Sequence, residues 1–173
     1  MRAYGNLQRQ GIAFWELDQP DVQQHKRASL VSAGISSGHV TFVSVDFGNE
    51  HAIERLVESG FDPSKKSLFL WEGVTLYLSE EAVRKTLRDI RNTATAGSVL
   101  LADIYAERFI AFADKGSHKK LLDQTGEGLD FGLDFSTNHE AVLSEFVESE
   151  SMSVGESYFM GRKNAKGPYV VVA

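Results

Sequence analysis

The sequence contains no cysteine among its 173 residues. Disulfide bonds, thiolate nucleophiles and cysteine-ligated metal sites are therefore excluded, and the redox compartment cannot be read from the sequence. Basic residues are also few, since 18 lysines and arginines stand against 24 acids and the net charge is −6. Because binding to a nucleic-acid backbone needs a basic surface, nucleic acid is not expected as a partner.

Several functional motifs are missing as well. No hydrophobic run reaches the length of a membrane span and no signal segment is recognisable, so we expect a cytoplasmic protein with no membrane partner. The Gly-x-Ser-x-Gly elbow of a serine hydrolase is absent. The glycine-rich residues 126–132 lack the Gly-Lys-Ser/Thr ending of a phosphate-binding loop. No group of His, Asp and Glu has metal-ligand spacing, so no metal site is expected.

The most informative stretch of the chain is residues 67–78, with the sequence SLFLWEGVTLYL. Its first five residues form a short apolar run between two lysines and Glu72, which is typical of a strand buried on both faces of a parallel sheet. Ser79 and the two acids after it predict the start of a helix. Ligands of open α/β sheets bind outside the carboxyl ends of the strands, so Glu72 is a candidate site residue.

Strands and helices alternate along the chain, which predicts an α/β fold with a parallel sheet. We predict helices with N-caps at Asp21, Asn49, Ser79 and Asn138. A glycine-rich stretch at 126–135 is expected to form a loop or a cap over a site. The predicted strands are 12–18, 40–46, 67–71 and 98–104, followed by an antiparallel hairpin of 152–160 and 168–173.

Three successive predicted strands end on or beside an acid, at Asp18, Asp46 and Glu72. Carboxylates along one edge of a sheet suit a ligand that carries hydroxyl and amino groups. An acid after a strand can also cap the next helix, and this simpler interpretation applies to each of the three positions. The three acids alone do not identify a ligand.

Three segments together resemble the leucine carboxyl methyltransferase family, which includes O-methyltransferases linked to polyketide synthesis. They are FWELDQPDVQQHKRASL at 14–30, FVSVDF at 42–47 and LVESGFDPSKKSLFLWEGVTLYLSEEAV at 56–83. The family pattern has an acid-x-Asp-x-Pro strand end, a Val-Asp-Phe strand end and a Glu-Gly-Val-x-x-Tyr-Leu turn, in this order. The resemblance is good over about residues 2–104 and extends only in outline beyond them.

The resemblance implies a Rossmann-like class I methyltransferase sheet that binds S-adenosylmethionine. By this resemblance Asp18 binds the ribose hydroxyls, Asp46 and Phe47 hold the adenine, and Glu72 lies beside the methionine part of the cofactor. Carboxylates suit these roles, because they accept hydrogen bonds from hydroxyls and amines and favour positive charge nearby. Tyr77 is a candidate substrate-binding residue, with core packing as the alternative. No catalytic residue is assigned.

The family also has a first strand and a Gly-x-Gly-x-Asp-Thr-Arg-x-Tyr loop, and only the end of that loop matches residues 1–4 here. We therefore expect a single methyltransferase domain over 1–173 that lacks the first strand, with 105–138 as a variable insert or cap. The chain is either part of a longer enzyme or a reduced member of the family. We expect binding of S-adenosylmethionine by residues 1–173 alone to be weak or undetectable by isothermal calorimetry, and to be restored when the glycine loop precedes them. Self-association through unpaired strand edges is also expected.

The function that we predict is O-methyl transfer to a carboxylate or hydroxyl of a small molecule, or of a protein C terminus. A non-catalytic domain with the same fold is the alternative. A dinucleotide-binding oxidoreductase is a weaker third possibility, because it needs a Gly-x-Gly-x-x-Gly loop that the sequence lacks.

Overall fold

The computed structural model of the protein describes residues 11–47, 49–113, 128–160 and 170–173. The chain divides into two compact units, Met1–Asp62 and Pro63–Ala173. Each unit holds strands and helices in alternation, as the sequence predicted. No helix among the described residues is long and apolar enough to span a membrane.

The first unit is built on a parallel pair of strands. Its elements are β1 (Phe14–Asp18), α1 (Pro20–Ser32), β2 (Val40–Ser44) and α2 (Ala52–Glu58). The register places Phe14 opposite Val40 and Asp18 opposite Ser44, so both strands end at the same edge. The predicted strand over 40–46 is thus two residues shorter at its carboxyl end.

Two predicted helix caps in this unit were wrong. Helix α1 has Gln19 at its N-cap and Pro20 in its first turn, so Asp21 lies inside the helix. Proline fits there because its missing N–H has no partner in the first turn and its φ angle is already helical. Helix α2 begins after His51 rather than after Asn49. The Asn49 side chain instead donates to the Asp46 carboxylate at 2.8 Å.

A buried glutamine ties α1 to both strands of the first unit. The Gln23 amide nitrogen donates to the Glu16 carbonyl at 3.1 Å and to the Val43 carbonyl at 3.2 Å, while its amide oxygen accepts from the Ser44 hydroxyl at 2.8 Å. Every polar atom of the side chain is therefore engaged, which a buried amide requires. Apolar packing beside it involves Val43, Val45, Ala52, Trp15, Leu17 and Phe47.

The second unit contains a four-stranded mixed sheet in the order β3-β4-β6-β5. Its strands are β3 (Leu68–Trp71), β4 (Val99–Tyr105), β5 (Tyr158–Met160) and β6 (Val170–Val172). Strands β3 and β4 run parallel, with Trp71 opposite Ala102. Strand β6 is antiparallel to both β4 and β5, which confirms the predicted antiparallel hairpin. Its helices are α3 (Glu80–Thr93), α4 (Glu107–Ala113) and α5 (His139–Glu148), with a short 3-10 helix at Thr75–Tyr77.

Two predicted caps of this unit are confirmed. The Ser79 hydroxyl accepts from the Ala82 N–H at 3.2 Å at the start of α3. The Asn138 side chain accepts from the Ala141 N–H at the same distance at the start of α5. Each cap satisfies one of the N–H groups that have no partner inside the helix.

The glycine-rich stretch contributes to the core of the second unit over the part that the structure describes. Phe131 and Phe135 are buried there, in a cluster with Trp71, Val83 and Leu143. Gly132 lies so close to the chain that an added Cβ would come within 2.8 Å of the Glu107 nitrogen. Residues 128–135 are therefore a packed loop. Residues 126 and 127 of the glycine-rich stretch lie outside the described residues.

Two further expectations need correction. The sequence predicted one sheet, whereas the described strands pair within two separate sheets, β1-β2 and β3-β4-β6-β5. The strand predicted over 152–160 covers only Tyr158–Met160. Alternating apolar residues suggested the longer strand, but residues 152–157 pair with no strand of the described part of the chain. Ser151 just before them has a φ of 59°, outside the range of extended chain.

Candidate functional site

Asp18 is the last residue of β1, and its carboxylate is held in place by two contacts. One oxygen accepts from the Gln19 N–H at 2.9 Å, and the other lies 3.4 Å from the Lys26 ammonium. Lys26 also pairs with Glu16 at 2.7 Å. Burial acts to lower the pKa of Lys26, but the hydrogen bond and charge of Glu16, with those of Asp18, outweigh it and raise the pKa. The Asp18 side chain keeps 28% of its surface exposed, so it can reach a ligand.

Asp46 lies two residues beyond the end of β2 and is exposed. Its N–H donates to the Glu50 carboxylate at 2.7 Å, and its carbonyl accepts from the N–H groups of Asn49 and Glu50. These bonds fix the turn that presents the carboxylate. Phe47, the next residue, packs half-buried against Val43 and Val45.

Because β1 and β2 are parallel and in register, Asp18 and Asp46 follow the carboxyl ends of neighbouring strands. The sequence predicted this placement for the two acids within the first unit. The common cleft predicted for Asp18, Asp46 and Glu72 involves both units and stays a prediction.

Glu72 directly follows β3 and is exposed, as the strand-end interpretation predicted. The next residue, Gly73, has a φ of 72°, a conformation that favours glycine. Its N–H points to the Asp103 carboxylate and lies 3.0 and 2.9 Å from the two oxygens. The Thr75 hydroxyl donates to the Asp103 carbonyl at 2.7 Å. The turn after β3 is thus attached to β4 at one residue.

Asp103 and Tyr105 form a second polar pair at this edge. The Tyr105 hydroxyl donates to the Asp103 carboxylate at 3.3 Å. Burial raises the pKa of Asp103 and the charge of Glu72 adds to the shift, although the Gly73 N–H and the Tyr105 hydroxyl oppose it. Burial, followed by the charge of Asp103, raises the pKa of Tyr105 to about 12, with smaller contributions from Tyr77 and Glu72.

Tyr77 ends the short 3-10 helix and keeps 42% of its surface exposed. This exposure does not fit the core-packing alternative. Its electrostatic interaction with Tyr105 places it near the Asp103 pair. Tyr77 is therefore available to a ligand at the carboxyl edge of β3 and β4.

Asp103 is the residue of this site that the sequence interpretation missed. It lies near the end of a predicted strand, and the same strand-end rule that selected Glu72 could have found it. Among the described residues, no group of three or more His, Asp or Glu could hold a metal ion. A polar depression of about 400 Å³ lined by Glu140, Ser144 and residues 154–158 contains none of the candidate residues.

The chain matches the leucine carboxyl methyltransferase family over residues 1–91. This match covers more than half of the 173 residues, and the chain belongs to that family. The resemblance inferred from the three sequence segments is thereby confirmed.

Two curated relatives carry the name "putative S-adenosyl-L-methionine-dependent methyltransferase". The one from Mycolicibacterium gilvum is 29% identical over 145 residues, which cover 83% of this chain and 47% of the relative. The one from Mycobacteroides abscessus is 34% identical over 114 residues, which cover 65% of this chain and 36% of the relative. The chain therefore spans less than half the length of these relatives.

Solved structures show the same fold. The O-methyltransferase NcsB1 from neocarzinostatin biosynthesis, in complex with S-adenosylmethionine and 2-hydroxy-5-methyl naphthoic acid, superposes with a TM-score of 0.53 at 17% identity. That superposition covers 93% of this chain and 40% of NcsB1. The mitomycin 7-O-methyltransferase MmcR gives 0.54 at 20% identity, over 94% of this chain and 41% of MmcR. The predicted class I methyltransferase fold is confirmed by these matches.

Proposed function

We propose that the protein takes part in S-adenosylmethionine-dependent O-methylation and that the strand-end acids bind the cofactor. The observation that carries the proposal is the family match over 1–91, which includes Asp18, Asp46 and Glu72. In each unit the candidate acids follow the carboxyl ends of parallel strands.

The donor groups of the cofactor fit these side chains. Asp18 would accept from the ribose hydroxyls, and Asp46 from the adenine amine, with Phe47 beside the ring. Glu72 would lie near the ammonium and sulfonium charges, where a carboxylate is favourable. When bound, S-adenosylmethionine would supply its sulfonium methyl group to an acceptor oxygen, with the thioether S-adenosylhomocysteine as the leaving group. The contribution of the chain to this step is placement, which can supply much of the rate.

The acceptor that we propose is a hydroxyl or carboxylate oxygen of a small molecule, with a protein C-terminal carboxylate as a second form. Support comes from NcsB1 and MmcR, which are both O-methyltransferases, and from the aromatic hydroxy acid bound to NcsB1. Tyr77 would contact the acceptor, since its exposed hydroxyl lies at the same edge as Glu72. The described parts of the predicted insert, residues 105–113 and 128–138, would contribute to the acceptor side. The comparisons do not favour the alternative of a non-catalytic domain.

The test is transfer of labelled methyl from S-adenosylmethionine to a panel of phenols, aryl carboxylates and peptides with a free C-terminal carboxylate. Alkaline treatment separates the products, because methyl esters release methanol and methyl ethers do not. Label in either fraction supports the proposal, and the fraction names the acceptor class. Label in neither fraction, from a folded protein at saturating cofactor, would contradict it. The same assay compares Glu72→Gln with Glu148→Gln. The second variant is the matched control, because Glu148 is an exposed acid on α5 outside the candidate site.

A further inference from the structure

Asp103 is attached to the turn that presents Glu72 by contacts from both its side chain and its main chain. Both carboxylate oxygens lie within 3.0 Å of the Gly73 nitrogen, and the carbonyl accepts from the Thr75 hydroxyl at 2.7 Å. Asp103 is 8% exposed and Thr75 is fully buried. The turn therefore has little freedom to move relative to β4 while these bonds are intact.

An ionised carboxylate at position 103 is unfavourable for the stability of the fold. Burial and the neighbouring Glu72 both raise the pKa of Asp103, which means that its charge is disfavoured in the folded protein. A group whose folded-state pKa is raised contributes most to stability below its ordinary pKa, and this contribution is lost as the pH rises through the folded-state pKa. At neutral pH the charge thus lowers the stability of the fold. A neutral acceptor of the same shape would be less costly for purely structural purposes.

Both carboxylate oxygens of Asp103 lie within hydrogen-bond distance of the Gly73 nitrogen. The turn is therefore held by a charge-assisted hydrogen bond, which is stronger than a neutral one. This bond fixes the orientation of Glu72, the residue just before Gly73, which is exposed at the carboxyl edge of β3.

We propose that Asp103 is a positioning residue, which holds the Glu72–Gly73 turn in the orientation that Glu72 needs to bind the positive end of the cofactor. This inference rests on the proposed function, since it assumes that Glu72 faces S-adenosylmethionine. Asp103 acts through the Gly73 N–H and touches no reacting atom. The Tyr105 hydroxyl also donates to this carboxylate, at 3.3 Å.

The test compares the intact chain with three variants by amide NMR of ¹⁵N-labelled protein during titration with S-adenosylhomocysteine. Asp103→Asn keeps the shape and removes the charge. Asp103→Ala removes both acceptors. Glu150→Gln is the control, because Glu150 is a buried acid paired with Arg84 and Arg88 outside the candidate site. NMR titration detects weak binding, and the Gly73 amide reports on the turn without any ligand.

We expect the Gly73 amide to shift upfield and exchange faster with solvent in Asp103→Asn, and more so in Asp103→Ala. Asp103→Asn should weaken S-adenosylhomocysteine binding about tenfold, which corresponds to about 1.4 kcal/mol. Its unfolding midpoint should stay at or above that of the intact chain. Glu150→Gln should show the opposite pattern, with a lower unfolding midpoint and unchanged affinity. If Asp103 had only a structural role, Asp103→Asn would lower the unfolding midpoint together with the affinity for S-adenosylhomocysteine.

Three results would overturn the inference, and each is distinct. An unchanged Gly73 amide signal in Asp103→Ala would show that the Gly73 N–H is not held by Asp103. A shifted amide with unchanged affinity would show that the turn is held for stability only. No saturable binding by the intact chain would contradict the proposed function for this chain, and the positioning role would fall with it, even with the Gly73 contact intact.

Discussion

The backbone N–H of Gly73 lies 3.0 and 2.9 Å from the two carboxylate oxygens of Asp103. This contact joins the turn after β3 to the end of β4. It explains how an exposed acid such as Glu72 acquires a defined direction, although it stands in a turn. The positive φ of Gly73 lets the chain bend there and keeps its N–H directed at β4.

Replacing Gly73 with alanine should destabilise the protein by about 1–2 kcal/mol, because L-residues pay this cost in the left-handed region. An added Cβ would meet no described atom within 4 Å, so the cost comes from the backbone alone. Urea unfolding measures it. Gly155→Ala is the control, since that glycine also has open space and its φ is not positive. Equal stability of both variants would show that the turn does not need glycine.

Glu72→Gln should weaken binding of S-adenosylmethionine by about tenfold or more, because a charge-assisted contact contributes roughly 1.5–3 kcal/mol. The unfolding free energy should change by no more than about 0.5 kcal/mol, since Glu72 is exposed. Ligand titration and urea unfolding of the same sample check both statements. Glu148→Gln carries the same chemical change on α5 and should leave affinity unaltered. Equal affinities of the two variants would remove Glu72 from the site.

Gln23→Ala should cost roughly 1–3 kcal/mol of unfolding free energy, because it removes three hydrogen bonds to β1 and β2 and leaves the carbonyl of the buried Val43 without its side-chain donor. The affected groups are the carbonyls of Glu16 and Val43 and the hydroxyl of Ser44. Gln24→Ala, at the exposed neighbouring position of the same helix, should cost far less. Urea unfolding of the two variants measures both costs. A similar loss of unfolding free energy in both would show that the hydrogen bonds of Gln23 contribute no special stability.

Glu150→Gln should destabilise the protein at neutral pH by about 1–3 kcal/mol. Burial acts to raise the pKa of Glu150, but the hydrogen bonds and charges of Arg84 and Arg88 outweigh it and lower the pKa below its ordinary value. A lowered pKa gives stability that is present above the ordinary pKa and is lost as the pH falls through the folded-state value.

The difference in unfolding free energy between the intact chain and Glu150→Gln should therefore shrink as the pH falls below the ordinary pKa of a glutamate and through the lowered folded-state pKa of Glu150. Urea unfolding at a series of pH values from neutral to about 3 measures it. A difference that stays constant over this range would show that the pair with Arg84 and Arg88 does not depend on the charge of Glu150.

The sequence was sufficient to locate the strands and several helix ends, because these follow from local patterns. The apolar run before Glu72 predicted a strand and the hydroxyl of Ser79 predicted a helix cap, and both were confirmed. The prediction that this strand is buried on both faces was wrong, because Leu68 and Leu70 are exposed while Trp71 is buried. Asp21 and Asn49 were predicted as caps on residue type alone. The proline at position 20 had already started the first helix, and the amide of Asn49 binds Asp46 instead.

Other features depend on contacts between distant parts of the chain. The contact between Gly73 and Asp103 joins residues 30 positions apart, so no local pattern could show it. The burial of Phe131 and Phe135 likewise depends on packing with residues from β3, α3 and α5. Glycine content alone had suggested a loop or a cap over a site for this stretch, without indicating its buried phenylalanines.

The proposed function requires that Asp18, Asp46 and Glu72 bind one cofactor molecule. Titration of the ¹⁵N-labelled chain with S-adenosylhomocysteine, followed by amide NMR, is the decisive measurement. We expect the amides at Asp18, Asp46, Phe47 and Gly73 to shift and to saturate together with a single dissociation constant. Shifts confined to one of the two units, separate dissociation constants for the two groups, or no saturable shift at these positions would contradict it.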